Sequence, residues 1–195
     1  MNQCEILDIF RDETICQYLD VISQIHMLTK HYLLIAEELS EEGVAFLQPL
    51  KEHRDAYDHL MRVFYLPTRF SSSDSDISGG FNCKDYITKN VEKAVGHEYR
   101  AFFDTADWLT FICRRAIRKE LSMRSVRQAY IDNYGDKKFQ LVRDKINNVP
   151  FEIAKYRTEK DIGKGSSPLT DVQSYKNTID MLLEIYQQVM EITFI

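Results

Sequence analysis

Residues 91–117, VEKAVGHEYRAFFDTADWLTFICRRAI, decide the fold of this chain. Apolar side chains recur there at steps of four and seven residues, which is the spacing of one face of an α-helix. Other large apolar side chains point away from that face, and a helix that is apolar on several sides is packed on several sides. The stretch therefore predicts a central helix, from about Lys84 to Leu121. The main face carries Val91, Val95, Phe102, Leu109 and Ala116, and Phe103, Trp108 and Phe111 point elsewhere.

The segments on both sides of this helix have the same helical period, and no period-two strand competes with it. We expect an all-α fold, an up-down bundle of about five helices in which the third is central. One domain is expected over residues 1–195, with two long surface loops at 67–83 and 157–169. The first helix is expected from about Glu5 to Leu39, with a break near Asp12, and the second is expected to end at Pro67. A fourth helical region should start at the capping box of Ser125 and pause at Gly135. The last helix should start at the capping box of Thr170.

A short polar pattern occurs twice. Residues 59–64, HLMRVF, and residues 97–102, HEYRAF, both read His-x-x-Arg-(Val/Ala)-Phe. Since a spacing of three places His and Arg on one helix face, the two segments could converge on one polar site. The phenylalanines are expected to be core anchors. The candidate residues are His59, Arg62, His97 and Arg100, with Asp55, Asp58 and Asp104 beside them.

Two charged residues interrupt apolar faces. Arg54 lies on the second helix among Leu50, Tyr57 and other apolar residues that we expect to be buried, and Glu98 lies between Val95 and Phe102 on the third. Because an unpaired buried charge costs several kcal/mol, each needs a partner. We expect Arg54 and Glu98 to form a structural ion pair between the two helices.

The bulk properties indicate a packed intracellular protein. The apolar content of 44% suits a globular core, and no stretch approaches the roughly 20 apolar residues that span a membrane. The first residues do not resemble a secretory leader, and the four cysteines lack zinc spacing, so we expect free thiols and a cytoplasmic location. No Glu-x-x-His motif occurs, and we expect no metal or cofactor, with His26 and His53 in structural roles.

Charge is distributed unevenly. Acidic residues outnumber basic ones over residues 1–66, whereas Lys and Arg outnumber acids over residues 114–164, although the net charge of the chain is −5. The basic stretch could bind an anionic partner such as RNA, or it could pair with the acidic helices inside the fold.

Residues 54–59, RDAYDH, resemble the Arg-x4–6-His signature of the HEPN superfamily, including the polar residue after the arginine. Many HEPN proteins are helical, metal-independent ribonucleases of toxin–antitoxin or other prokaryotic defence systems, in which two subunits share a cleft. The resemblance implies that Arg54 would hold a phosphate and that His59 would act as acid or base. In this hypothesis we expect His97 and Arg100 to complete the catalytic site.

Three functions stay open at this point. The first is an unassigned helical protein that acts through protein partners or as a homo-oligomer. The second is a HEPN-like ribonuclease or RNA-binding subunit that uses the basic stretch. The third is a protein that binds a nucleotide or small anion in a His/Arg cleft.

Overall fold

The computed structural model describes residues 8–40, 46–70, 82–162 and 167–193, without the side chains of 66–70 and 159–162. Within those ranges the chain is all-α, as predicted, with six helices and no strand. In chain order they are α1 (Glu13–Leu39), α2 (Leu47–Phe70), α3 (Cys83–Ser122), α4 (Arg124–Tyr134), α5 (Asp136–Ile162) and α6 (Pro168–Thr193).

Several predicted boundaries need correction. The helix α2 continues through Pro67 to Phe70. Proline costs the helix one backbone hydrogen bond, and the helix tolerates this loss because Pro67 lies in its last turn. The helix α5 extends to Ile162. Residues 67–70, 83, 157–162 and 168–169 of the two predicted loops are therefore helical, whereas residues 71–81 and 163–166 lie outside the described residues.

The helix ends also differ from the two predicted capping boxes. Met123 is the N-cap of α4 and makes no side-chain cap, so Ser125 lies inside the helix. The helix α6 begins at Pro168, whose fixed φ suits the first turn. The expected breaks at two other places are present: Asp12 Oδ1 accepts a bond from Thr14 N at 3.1 Å at the start of α1, and Gly135 adopts φ 86° between α4 and α5.

Contacts within the chain define two compact units. Unit 1 comprises Met1–Lys30 and Phe46–Asp104, and unit 2 comprises His31–Ala45 and Thr105–Ile195. Each of α1 and α3 contributes a segment to both units. The single domain stays a prediction.

Unit 1 has a core in which small and branched side chains of α1, α2 and α3 pack together. Its buried members include Ile15, Ile22, Ala56, Val63, Cys83, Ile87, Val91, Ala94 and Val95.

In unit 2, α4, α5 and α6 contact one another pairwise. The hydroxyl of Tyr130 donates to Gln188 Oε1 at 2.9 Å, and the hydroxyl of Tyr32 donates to Asp180 Oδ1 at 2.7 Å. These two buried tyrosines therefore connect α4 and α1 to α6. Burial raises the pKa of Tyr130 to about 12, which keeps this hydroxyl protonated as a donor. No helix among the described residues is long and apolar enough to cross a membrane.

Candidate functional site

Three of the five histidines contact two buried glutamates inside unit 1, and a fourth, His59, stacks on one of those three. We call His26, His53, His59 and His97, together with Glu52 and Glu98, the histidine cluster. The exposed fraction is 8% for Glu52 and 3% for Glu98. Since a buried carboxylate needs hydrogen-bond or ionic partners, these two glutamates fix the polar contacts around them.

Glu52 on α2 is held by two residues of α3. His97 Nδ1 lies 2.8 Å from Glu52 Oε2, and Arg100 Nε donates to the same oxygen at 2.9 Å. Burial acts to raise the pKa of Glu52, but the bonds from His97 and Arg100 outweigh it and hold the pKa below its ordinary value. Glu52 is therefore an ionised acceptor at neutral pH.

His59 on α2 contacts a polar residue of α3, just as His97 on α3 contacts Glu52 of α2. Its Nδ1 lies 2.9 Å from Asn90 Oδ1, and the Asn90 amide nitrogen donates to the carbonyl of Tyr86, which fixes the amide orientation. His59 Nδ1 then carries the hydrogen. The rings of His59 and His97 stack at 5.3 Å between centroids, with 27° between their planes. The structure thus brings the histidines of the two repeated segments into contact.

These contacts follow a repeat that extends beyond residues 59–64 and 97–102. Residues 52, 56, 59 and 63 are Glu, Ala, His and Val, and residues 90, 94, 97 and 101 are Asn, Ala, His and Ala. The polar residue of each helix contacts the histidine of the other, so α2 and α3 run antiparallel here. Both alanines are completely buried, and their size lets the two helices approach closely.

The predicted ion pair between Arg54 and Glu98 is wrong. The Arg54 side chain is 70% exposed and bonds Asp55 Oδ1 through Nη2 at 2.7 Å. Glu98 instead faces two imidazoles: His26 Nδ1 lies 3.2 Å from each carboxylate oxygen, and His53 Nδ1 lies 3.0 Å from Oε2. Histidines on α1 and α2 replace the expected arginine because Arg54 lies on the other face of α2.

The other candidate residues are distributed between the cluster and the surface. Arg100 reaches Glu52, whereas Arg62 donates to Asp58 at 2.5 Å in an exposed i,i+4 pair. Asp55 is bound to Arg54, and Asp104 is half-buried on α3. Arg54 and His59, the two residues of the HEPN-like motif, therefore have separate surroundings: the first is at the surface and the second is in the cluster.

The face of α2 that we expected to be buried is exposed. Tyr57 and Phe64 are 61% and 51% exposed, although Phe64 stacks on Phe10 at 6.0 Å. Phe64 is thus not a core anchor, in contrast to Phe102, which is completely buried. The exposed residues are spaced alternately by three and four, which is the pattern of a coiled-coil seam. We call them the α2 stripe: Leu47, Leu50, Arg54, Tyr57, Met61 and Phe64.

A concave site lies in unit 2, within the basic stretch. A cavity of about 230 Å³ is bordered by three arginines and by apolar and small polar side chains. Arg118 Nη2 donates to the carbonyl of Ile146 and to Asn147 Oδ1, while Arg143 contacts Asp144 at 3.4 Å. We call this the basic pocket. Its lining is Arg118, Arg127, Arg143, Leu121, Ser122, Phe139, Ile146 and Asn147.

Comparisons with known proteins gave no match: no family model matches the chain, and neither do curated proteins or solved structures.

Proposed function

We propose that this protein works as a homodimer assembled through the α2 stripe. The observation that carries the proposal is six consecutive seam positions, Leu47 to Phe64, that are exposed to solvent, while Glu52, Ala56 and Val63 lie on the buried face of the same helix. Such a seam buries its apolar surface when a second helix packs against it.

A second copy of α2 fits this seam in the antiparallel direction. That pairing sets Leu47 against Phe64, Leu50 against Met61, and Arg54 against Tyr57, where the guanidinium can stack on the ring. A parallel, in-register pair would place the two Arg54 side chains against each other. The antiparallel seam is also two-fold symmetric, as an interface between identical subunits requires.

Charge beside the stripe supports the same direction. Lys51 and Asp58 occupy equivalent flanking positions one heptad apart. In the antiparallel pair, Lys51 of each copy faces Asp58 of the other copy, so the interface would contain two opposite-charge pairs.

Mass measurement in solution tests the dimer. We expect the wild-type protein to be dimeric at micromolar concentration and the double variant Tyr57→Glu/Met61→Glu to be monomeric, because four buried carboxylates would oppose association. Phe111→Glu, which changes a 54% exposed residue of α3, is the control and should stay dimeric. A monomeric wild type at about 100 μM would contradict the proposal.

Charge reversal tests the direction of the pair. Lys51→Asp and Asp58→Lys should each weaken the dimer about ten-fold, because each creates two like-charge contacts per dimer and roughly 1.4 kcal/mol corresponds to a factor of ten. The double variant should recover wild-type affinity. Lys145→Glu, an exposed change on α5, is the control. Failure of the double variant to recover would exclude the antiparallel pairing.

The bundle arrangement is also a proposal. We infer an up-down arrangement around α3, supported by the antiparallel contact of α2 and α3 within unit 1 and by the large buried side chains along α3, including Phe102, Leu109 and Ile117.

A phosphate-bearing ligand of about mononucleotide size is the second candidate function, and the basic pocket is the observation that favours it. Arginine suits phosphate because its planar donors form bidentate, charge-assisted bonds, and Phe139 offers a ring for stacking. The volume suits a ligand smaller than the drug-sized molecules found in most pockets.

Binding of a fluorescent nucleoside monophosphate tests the basic pocket. Arg127→Ala should weaken binding about 10-fold to 100-fold, the expected cost of one charge-assisted bond. Arg115→Ala, an exposed arginine of α3 outside the lining, should bind normally. Equal affinities for the two variants would show that the pocket is not the binding site, and tighter binding of single-stranded RNA would favour RNA as the ligand.

The HEPN-like ribonuclease receives less support. Arg54 is exposed and His59 bonds Asn90, so joint action of the two requires Arg54 of one subunit to approach His59 of another. Cleavage of labelled RNA by wild type, Arg54→Ala and His59→Ala tests it. Both variants should lose activity if the motif is catalytic, and activity equal to wild type in either variant contradicts that role.

A further inference from the structure

We infer that His26, His53 and Glu98 form a binding site for one divalent transition-metal ion. The three residues come from α1, α2 and α3, all within unit 1, and their ligand atoms lie within 4.8 Å of one another. Two imidazoles and one carboxylate are a ligand set that zinc and non-haem iron both use.

The distances fit coordination by one ion. Tetrahedral zinc with bonds of about 2.0–2.1 Å has ligand atoms separated by about 3.3 Å. The nitrogen-to-oxygen distances here are 3.2 Å for His26 and 3.0 Å for His53. The imidazole rings lie at 67° to each other with centroids 4.8 Å apart, which lets both Nδ1 atoms face the carboxylate. All three ligand atoms lie within 4.8 Å of one another, so rotation of the imidazole side chains would bring them to one ion.

The unsatisfied hydrogen-bonding capacity of His53 provides an independent argument. Both of its ring nitrogens are buried without a hydrogen-bond partner, because the 3.0 Å contact of Nδ1 with Glu98 is not aligned as a hydrogen bond. A buried polar atom without a partner needs an explanation, and an ion that accepts the Nδ1 lone pair supplies one for Nδ1. A dication would also neutralise Glu98, which is 3% exposed.

The surroundings define the number of ligands and the route of entry. Glu52 is committed to His97 and Arg100, so it does not serve as a fourth ligand. The His26 side chain is 44% exposed, whereas those of His53 and Glu98 are 14% and 4% exposed. The ion would enter past His26, and water or a substrate would occupy the remaining coordination positions there. This inference does not depend on the dimer.

Zinc titration of chelator-treated full-length protein tests the site. We expect one Zn²⁺ per chain at neutral pH, bound by the two imidazoles and the Glu98 carboxylate. His26→Ala should lose at least about 10-fold in affinity, since loss of a ligand costs no less than loss of a residue that only supports one. Because His26 is the most exposed of the three residues, this variant should keep the fold.

His31→Ala is the matched control, since His31 also lies on α1 but outside the site. It should bind Zn²⁺ like wild type. Co²⁺ provides a second readout: its visible absorption should show nitrogen and oxygen ligands in wild type and change in His26→Ala. Absence of stoichiometric Zn²⁺ binding, or equal affinities for wild type and His26→Ala, would overturn the inference. Glu98→Gln, checked by circular dichroism, should also weaken binding.

Discussion

Replacement of Phe102 by alanine should lower the free energy of unfolding by about 3–5 kcal/mol, because it removes a completely buried aromatic side chain and leaves a cavity. Phe102 lies on α3 beside Phe103, and the two rings meet at 89° with centroids 5.3 Å apart. Edge-to-face contact of this kind adds to the burial term. Chemical denaturation followed by circular dichroism measures the loss. The milder variant Phe102→Leu should give an intermediate value if alanine prevents folding.

Phe64→Ala is the matched control, because Phe64 ends the first copy of the repeated segment as Phe102 ends the second. It is 51% exposed and stacks on Phe10, so its removal should cost about 1 kcal/mol or less in the monomer. The measurement should be made at low protein concentration, where dimerisation does not contribute. Equal losses for the two variants would mean that α2 buries the other face.

Replacement of Glu52 by glutamine should cost about 2–3 kcal/mol at neutral pH, because His97 and Arg100 lose an ionised acceptor in a buried setting. The pKa of Glu52 is lowered in the folded protein, so its carboxylate stabilises the fold above the unfolded-state pKa of about 4.3. That contribution disappears as the pH falls through the folded-state pKa. The difference between wild type and variant should therefore be smaller in acid, below the unfolded-state value of about 4.3, than at neutral pH.

The control for this prediction is Asp58→Asn, which removes a carboxylate of the same helix that contacts Arg62 at the surface. It should cost less than about 0.5 kcal/mol, as exposed pairs do. Urea denaturation at both pH values compares the two variants. A loss in Glu52→Gln that does not change with pH would assign the effect to packing rather than to charge.

The recurrence of apolar residues at steps of three and four predicted the helices well. Burial of Val91, Val95, Phe102 and Leu109 confirms the main face of α3. The breaks near Asp12 and Gly135 could also be predicted, since a side-chain cap and a positive φ are local properties. The two predicted capping boxes were wrong. The helix α4 begins at Arg124 and α6 begins at Pro168, so Ser125 and Thr170 lie inside these helices.

The buried face of α2 could not be predicted from apolar periodicity. That periodicity favours Leu50, Tyr57 and Phe64, whereas the structure buries Glu52 and Ala56 and half-buries His59. Burial of a polar residue costs little only when the facing helix supplies a hydrogen-bond partner. The partners of His59 and Glu52 lie 31 and 45 positions further along the chain. The aligned repeat of Glu52-x3-Ala56-x2-His59 and Asn90-x3-Ala94-x2-His97 is the signal that could have found this face.

The sequence by itself therefore determined the elements: an all-α chain, the packed face of α3, and two segments with histidines that share a pattern. These depend on contacts within one or two helical turns. Only the tertiary structure decided which residues meet. It placed Glu98 between His26 and His53, Glu52 beside His97, and Arg54 at the surface, because the side chains of three helices compete for the same partners. The pairing of buried charges is a property of that packing, and no single helix contains it.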